Sequence, residues 1–182
     1  MGTTRTRRII TMTKPLSFTV PFPPRPLKRA LIGRGGKHMY DPAENKIAKR
    51  QVADAYCALN DPPFFHGALA CVLTFYMPKP KSKIRKNSTP YPYPDCKPDV
   101  DNMIKLVLDG LNNVAFDDDA QVVCISACKM WADSPDQART QVYIRNLSTK
   151  ESTVRFIQKW WGRAVGWFTV LDIDYEDDEW DY

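Results

Sequence analysis

Two aspartates separated by one residue open the stretch of this chain that is richest in possible chemistry. Asp99 and Asp101 precede residues 102–113, whose apolar side chains recur at the spacing of an amphipathic helix. The pattern therefore predicts that both carboxylates lie beside a partly positive helix N-terminus. A third acidic cluster, Asp117–Asp119, follows one helix length later, before a strand-like run at residues 121–131. If the returning strand brings the clusters together, their carboxylates need a cation, and oxygen-only ligands favour Mg²⁺ or Mn²⁺.

Each acidic cluster also has a purely structural interpretation. Asp101 suits the N-cap position of the predicted helix, and residues 117–119 suit an ordinary solvated turn. Neither cluster on its own decides between the two interpretations. Occurring together and flanked by lysines, the clusters favour a metal site.

The order of these motifs resembles the RusA family of Holliday junction resolvases. The matching parts are the run from Asp99 to Lys105, a helix that contains Asp109, and residues 118–122 with the sequence Asp-Asp-Ala-Gln-Val. The segment from Phe18 to Pro24 also resembles the first strand of that family and its exit. The likeness extends over about residues 16–147. It implies a homodimeric, Mg²⁺-dependent endonuclease that acts on branched DNA such as a four-way junction.

The resemblance also implies roles for individual residues. Its metal-binding carboxylates would be Asp99, Asp101 and Asp119, with Lys105 as the catalytic lysine. Asp118 and Asn102 are expected to contact these residues without binding the metal and so to orient them. Asp118 could alternatively be an additional metal ligand. Lys105 has a structural alternative, an ion pair with Asp109 one helical turn later, which contributes little because the lysine precedes the acid.

The charge distribution indicates a polyanionic partner. The 182 residues carry a net charge of +5, but residues 172–182 contain seven acidic side chains and no basic one. The remainder has 26 basic and 14 acidic side chains, a net charge of +12. Two basic segments rich in glycine or proline are expected to contact DNA phosphates, and two tyrosines to stack on unpaired bases. These expected DNA-binding residues are Lys28, Arg29, Arg34, Lys37, Lys79, Lys81, Lys83, Arg85, Lys86, Lys97, Tyr91 and Tyr93.

Solvated loops, and tyrosines packed on neighbouring prolines, are the alternatives for these segments. The acidic tail is expected to compete with non-specific duplex DNA for the basic face, although a solubility tail or a protein contact would explain it as well.

Periodicity predicts a single α+β domain, a small mixed β-sheet packed with two principal helices in the order β-α-β-α-β-β. Asp41, Pro42 and Glu44 predict the start of the first helix, with Asp41 as the N-cap and Glu44 completing a capping box. The predicted strands and helices lie at residues 16–20, 41–59, 67–77, 102–113, 121–131 and 141–147. We expect a flexible basic leader at 1–14, a nuclease domain at 15–147, and a C-terminal extension at 148–182 with an aromatic helix and the acidic tail.

Other features narrow the class of protein. Five cysteines without a close pair indicate neither a disulfide framework nor a zinc site. No apolar run reaches membrane-spanning length and no secretory signal is present, so a cytoplasmic protein without a membrane partner is expected. Two rival classes remain open at this stage: a non-catalytic protein that binds DNA junctions, and a glycosyltransferase that uses its Asp-x-Asp motif to hold a metal.

Overall fold

The computed structural model describes residues 14–32, 39–80 and 93–147. The aromatic helix and the acidic tail lie outside the described residues, as does all of the basic leader except Lys14. So do seven of the expected DNA-binding residues, Arg34, Lys37, Lys81, Lys83, Arg85, Lys86 and Tyr91.

The described residues form a mixed β-sheet with two helices, which confirms the predicted α+β class. The strands are β1 (Leu16–Val20), β2 (Leu31–Ile32), β3 (Met39–Tyr40), β4 (Leu69–Met77), β5 (Val122–Trp131) and β6 (Arg139–Asn146), and the helices are α1 (Ala43–Cys57) and α2 (Val100–Leu111). The predicted order of the principal elements is correct. The structure adds the short β2–β3 ribbon between β1 and α1, and most predicted bounds shift by about two residues.

The four-stranded sheet has the order β1-β6-β4-β5. Strand β6 is antiparallel to both β1 and β4, whereas β4 and β5 are parallel. Parallel strands need a crossover connection, and α2 lies within the connection between β4 and β5. The crossover returns the chain to the edge at which β4 began, so α2 begins near the end of β5 and finishes near its start.

The core lies between the sheet and the helices. Helix α1 buries Asn45, Ala48, Val52 and Tyr56, which are spaced three or four residues apart and therefore share one face. Gly110 marks the closest approach of α2 to α1. A Cβ atom there would lie 2.8 Å from the Lys49 carbonyl oxygen and 2.9 Å from Val52 Cβ. The close packing of the two helices therefore requires a residue without a side chain at position 110.

The predicted capping of α1 is wrong. Pro42 is the N-cap residue, and no side chain makes a capping hydrogen bond there. The Asp41 carboxylate instead accepts hydrogen bonds from Asn45 Nδ2 at 2.6 Å and Lys49 Nζ at 3.1 Å. The Asp41 side chain therefore binds residues one and two turns into the helix and does not cap its first turn.

Three of the five cysteines lie in strands of the sheet. Cys71 and Cys124 are buried and Cys128 is half-buried, and burial raises the pKa of the Cys71 thiol to about 12.

Across the part of the chain that the structure describes, no helix combines the length and the apolar character needed to cross a membrane.

Candidate active site

The first turn of α2 presents two exposed carboxylates. Asp99 is the N-cap residue, but its side chain makes no capping hydrogen bond, and Asp101 lies in the first helical turn. The structural alternative in which Asp101 caps the helix is therefore wrong. Both residues are exposed, and no hydrogen bond or ion pair to another described residue engages either carboxylate. The positive end of the helix offsets part of their mutual repulsion, and an external cation would offset more.

Lys129 fixes the segment that leads into this turn. From β5, its Nζ donates hydrogen bonds to the carbonyl oxygens of Cys96 at 2.8 Å and Pro98 at 3.0 Å. The residue immediately before Asp99 is thereby tied to the sheet. Sequence reasoning missed Lys129, whose only signal was a lysine within an otherwise apolar strand pattern.

The same turn of α2 is tied to the N-terminal part of the chain. The Leu27 backbone N–H donates a hydrogen bond to the Asn102 carbonyl oxygen at 3.0 Å. Asn102 thus positions the chain through its backbone, and the orienting role expected for its side chain stays a prediction.

Lys105 extends from α2 one turn beyond Asp101. Its Nζ lies 3.7 Å from Asp109 Oδ1, so the predicted ion pair is present, and its side chain is 61% exposed. The other oxygen of Asp109 lies 3.1 Å from Lys49 Nζ, which is also 3.1 Å from Asp41 Oδ2. Burial opposes the charge on Lys49, but hydrogen bonds to Asp109 and Asp41 outweigh it and raise the pKa of Lys49. Because Asp109 pairs more closely with Lys49, the Lys105 ammonium group stays accessible, and its catalytic role stays a prediction.

In the second acidic cluster, Asp117 lies 3.6 Å from His66 Nδ1, Asp118 shapes its turn, and Asp119 has no side-chain partner among the described residues. Asp118 Oδ1 accepts a hydrogen bond from the Ala120 N–H at 2.8 Å, and Gln121 Oε1 accepts one from the Asp118 N–H at 3.2 Å. Gln121 Nε2 also donates to the Gly67 carbonyl oxygen at 3.1 Å and joins the turn to the segment before β4. Asp118 and Gln121 therefore shape the turn. The carboxylate of the half-buried Asp119 makes no hydrogen bond or ion pair with another described residue.

The two acidic clusters lie at opposite ends of the crossover. Asp119 begins the short 3₁₀ turn that leads into β5, whereas the residue before Asp99 is hydrogen-bonded to Lys129 near the end of that strand. At about 3.3 Å per residue, the seven residues from Val122 to Lys129 span about 23 Å. Within residues 14–32, 39–80 and 93–147, no group of three or more His, Cys, Asp or Glu residues is placed to hold a metal ion. The expected convergence within one chain is therefore not found there, and the ligand roles stay predictions.

Five of the expected DNA-binding residues are described. Lys28, Arg29 and Lys97 are exposed and Lys79 is half-buried. Tyr93 is 36% exposed. Lys28 Nζ pairs with the Glu44 carboxylate at 2.9 Å. Their contacts with DNA stay predictions.

An exposed carboxylate pair on a basic α+β domain is typical of enzymes that use a divalent metal on phosphodiesters. The model of the RusA endodeoxyribonuclease family matches residues 21–145, and this chain belongs to that family. The chain is also similar to "Uncharacterized protein YqaN" of Bacillus subtilis (strain 168), with 35% identity over 126 residues. That alignment covers 66% of this chain and 87% of YqaN. Members of the RusA family are nucleases that act on branched DNA and generally depend on a divalent metal.

Proposed function

We propose that this protein is a Mg²⁺-dependent endodeoxyribonuclease that resolves four-way DNA junctions by paired, symmetric incisions as a homodimer. Membership of the RusA family supports the reaction class. The observation that carries the proposal is the exposed pair Asp99 and Asp101 at the open end of α2, where no described side chain neutralises either carboxylate.

The residues of this turn fit a magnesium ion. Mg²⁺ is usually held by one or two carboxylates, with water and substrate phosphate completing its coordination, and Asp99 and Asp101 offer such a pair. When bound, the metal would supply an activated water and neutralise charge on the phosphate. Mn²⁺ takes similar oxygen ligands and could substitute for Mg²⁺. The exposed Lys105 ammonium group would stabilise charge that develops on the scissile phosphate.

The separation of Asp119 from the first pair supports a site completed by a second chain. Strand β5 is an edge of the sheet, and its Val123 and Ile125 side chains are 64% and 38% exposed. If two β5 strands pair in antiparallel fashion about a two-fold axis, the start of one lies beside the end of the other. Asp119 of the second copy would then stand beside the Asp99 turn of the first. Such a dimer would contain two equivalent sites, as two symmetric cuts require.

The reaction is tested with a synthetic four-way junction labelled on each strand in turn. We expect paired incisions in the presence of Mg²⁺ or Mn²⁺, none with a chelator, and none in a linear duplex of the same arm sequence. Junction binding without cleavage across a panel of divalent metals would instead support the non-catalytic alternative.

The shared site is tested by mixing two inactive variants, Asp99→Asn and Asp119→Asn. In a mixed dimer with shared sites, one site carries both substitutions and the other carries none. We therefore expect mixing to restore single nicks, whereas each variant alone stays inactive. If both acids served the same chain, every site would be damaged and mixing would restore nothing, which would refute the shared site but leave the reaction class standing.

A further inference from the structure

The two carboxylates proposed to bind the metal are held by different parts of the structure. Asp101 lies within the first turn of α2. That turn is fixed by the fully buried Met103 side chain and by the hydrogen bond from the Leu27 N–H to the Asn102 carbonyl oxygen. Asp99 lies just before the helix, where its backbone is extended (φ −73°, ψ 141°) and its side chain makes no capping hydrogen bond. The position of Asp99 therefore depends also on the segment that precedes it.

Lys129 orients the peptide group that leads into Asp99. Its Nζ donates hydrogen bonds to the carbonyl oxygens of Cys96 at 2.8 Å and Pro98 at 3.0 Å. The Pro98 carbonyl group and the Cα atom of Asp99 belong to one peptide group, which is planar because of resonance. Fixing the Pro98 oxygen therefore fixes the plane from which the Asp99 side chain extends. The second hydrogen bond, to Cys96, holds the chain two residues earlier, so this plane does not pivot about a single contact.

The Lys129 ammonium group extends from a firmly held part of the sheet. Strand β5 pairs with β4, and Lys129 lies opposite Phe75, which is 1% exposed. Paired residues of adjacent strands point to the same face of a sheet, so Lys129 lies on the face that packs against the helices. Its neighbours on that face, Ala127 and Trp131, pack against the core. Lysine stems pack along such apolar surfaces while the charged end reaches polar groups, and Lys129 thereby ties Asp99 to the sheet.

Charge alone would make Lys129 unfavourable beside a metal site. Its ammonium group is hydrogen-bonded to the residue before Asp99, and a positive charge so close to a bound cation repels it. Geometry acts in the opposite direction. Mg²⁺ demands a near-ideal octahedral arrangement of oxygen ligands, so a displaced Asp99 carboxylate would bind it more weakly. The two effects of removing Lys129 therefore differ in sign, and the metal affinity shows which one prevails.

We propose that Lys129 is a positioning residue, which holds Asp99 in the orientation that lets it bind a divalent metal together with Asp101. This inference rests on the proposed function and adds to it a residue that does not itself contact the metal. Replacing a residue that orients a metal ligand typically weakens metal binding by about ten- to a hundredfold. Loss of the Lys129 hydrogen bonds should therefore weaken metal binding even though it removes a repelling charge.

The test measures Mn²⁺ binding to the full chain without DNA, from the loss of the electron paramagnetic resonance signal of the free ion. The difference between wild type and Asp99→Asn defines binding at the proposed site, because acidic residues elsewhere also take up Mn²⁺. Lys129→Met removes the charge and both hydrogen bonds, and we expect about tenfold weaker binding at that site. Lys129→Arg keeps a charged donor and should bind Mn²⁺ more tightly than Lys129→Met.

Lys97→Met is the matched control for the loss of charge. Lys97 lies between Cys96 and Pro98, and its exposed side chain makes no hydrogen bond or ion pair with another described residue. Its replacement removes the same charge two residues before Asp99, so Mn²⁺ binding should stay equal or become tighter. If Lys129→Met does not fold, as judged by circular dichroism, Lys129→Gln against Lys97→Gln makes the same comparison. The expected loss is then smaller, because glutamine keeps one donor group.

Three outcomes would overturn the positioning role. Unchanged or tighter Mn²⁺ binding by the variant at Lys129 would show that this lysine does not set the geometry of the site. Equal losses in Lys129→Met and Lys129→Arg, or in Lys129→Met and Lys97→Met, would show that the loss does not follow the two hydrogen bonds. Conversion of a wild-type dimer to a monomer by Lys129→Met, seen by light scattering, would assign the loss to the contact between copies. Wild type that binds no more Mn²⁺ than Asp99→Asn would instead refute the proposed metal site, and the positioning role with it.

Discussion

The two ends of α2 carry similar charged residues in contrasting surroundings. At its start, Asp99 and Asp101 are exposed, and no described side chain pairs with either. In its last turns, Asp109 is 19% exposed and pairs with Lys49 across the helix interface and with Lys105 along the helix. A half-buried charge is tolerated because it is paired. Two exposed like charges side by side repel each other, which supports the cation-binding role proposed for them.

The second acidic cluster repeats this contrast between neighbouring residues. The Asp118 carboxylate accepts a hydrogen bond from the backbone of its own turn, whereas Asp119 has no described partner. Both regions therefore contain an acid that is engaged within the fold, Asp109 or Asp118, and acids whose carboxylates have no described partner, Asp99 and Asp101 or Asp119. Substitutions should therefore separate stability from activity.

The largest expected effect is on cleavage. Asp99→Asn, Asp101→Asn or Asp119→Asn should each slow junction cleavage by about a hundredfold or more, because each removes a charge that would hold the metal. Junction binding should survive or tighten, since repulsion of the phosphates is relieved, and the thermal midpoint should not fall. Cleavage rates in Mg²⁺ and gel shifts in chelator measure both.

Asp54→Asn is the matched control for these variants. Asp54 is an exposed carboxylate of α1, 67% exposed, in a surface pair with Arg50. It should leave cleavage unchanged. Near-normal cleavage by any one of the three active-site variants would remove that residue from the proposed site.

Gly110→Ala should lower the stability of the fold. An exposed helical glycine replaced by alanine gains up to about 1 kcal/mol, but here the new methyl group would meet the Lys49 carbonyl oxygen at 2.8 Å. Overpacking of this kind costs about 1–3 kcal/mol. Denaturant unfolding should show a lower midpoint with an unchanged slope. A midpoint at or above that of wild type would mean that α1 and α2 can move apart without cost.

Lys49→Met should lower stability by about 1–3 kcal/mol and leave cleavage by the folded protein intact, because Asp41 and Asp109 lose a charged hydrogen-bond donor. The hydrogen bond from Asn45 is the main cause that lowers the pKa of Asp41 from 3.8, and the pKa of Lys49 is raised from 10.5.

These directions set the pH window of the Lys49 effect. The Asp41 contribution is present above its ordinary pKa and is lost as the pH falls through the folded-state value. The Lys49 contribution is present below its ordinary pKa and is lost as the pH rises through the folded-state value. The stability difference between wild type and Lys49→Met should therefore be largest between these limits and shrink on both sides. A difference that does not vary with pH would show that packing of the lysine stem dominates.

The smallest effect is expected at Asp118. Asp118→Asn should change cleavage and stability little, because asparagine accepts the same backbone hydrogen bond, whereas Asp118→Ala should cost about 1 kcal/mol. Thermal unfolding and cleavage rates compare the two. Loss of cleavage in Asp118→Asn alone would shift the proposed ligand from Asp119 to Asp118.

Local sequence patterns determined much of this fold. Strand β1 was predicted at the residues where it occurs, and the apolar spacing predicted α1 and α2 to within a few residues. The acidic motifs could also be recognised in the sequence, because a carboxylate pair at the start of an apolar periodic segment is a short-range feature. The sequence thereby offered candidate metal-binding residues, whose ligand roles stay predictions.

Only the tertiary structure decided which of the charged residues pair with each other and where the acidic clusters lie. Asp109 and Lys49 are 60 positions apart along the chain and meet because α1 packs on α2 at Gly110. Sequence alone did not show whether β5 would lie parallel or antiparallel to β4. The parallel pairing makes α2 a crossover, and this places Asp119 at the opposite end of β5 from Asp99. Periodicity reports the face of each element, whereas strand direction and helix contact depend on pairings between distant parts of the chain.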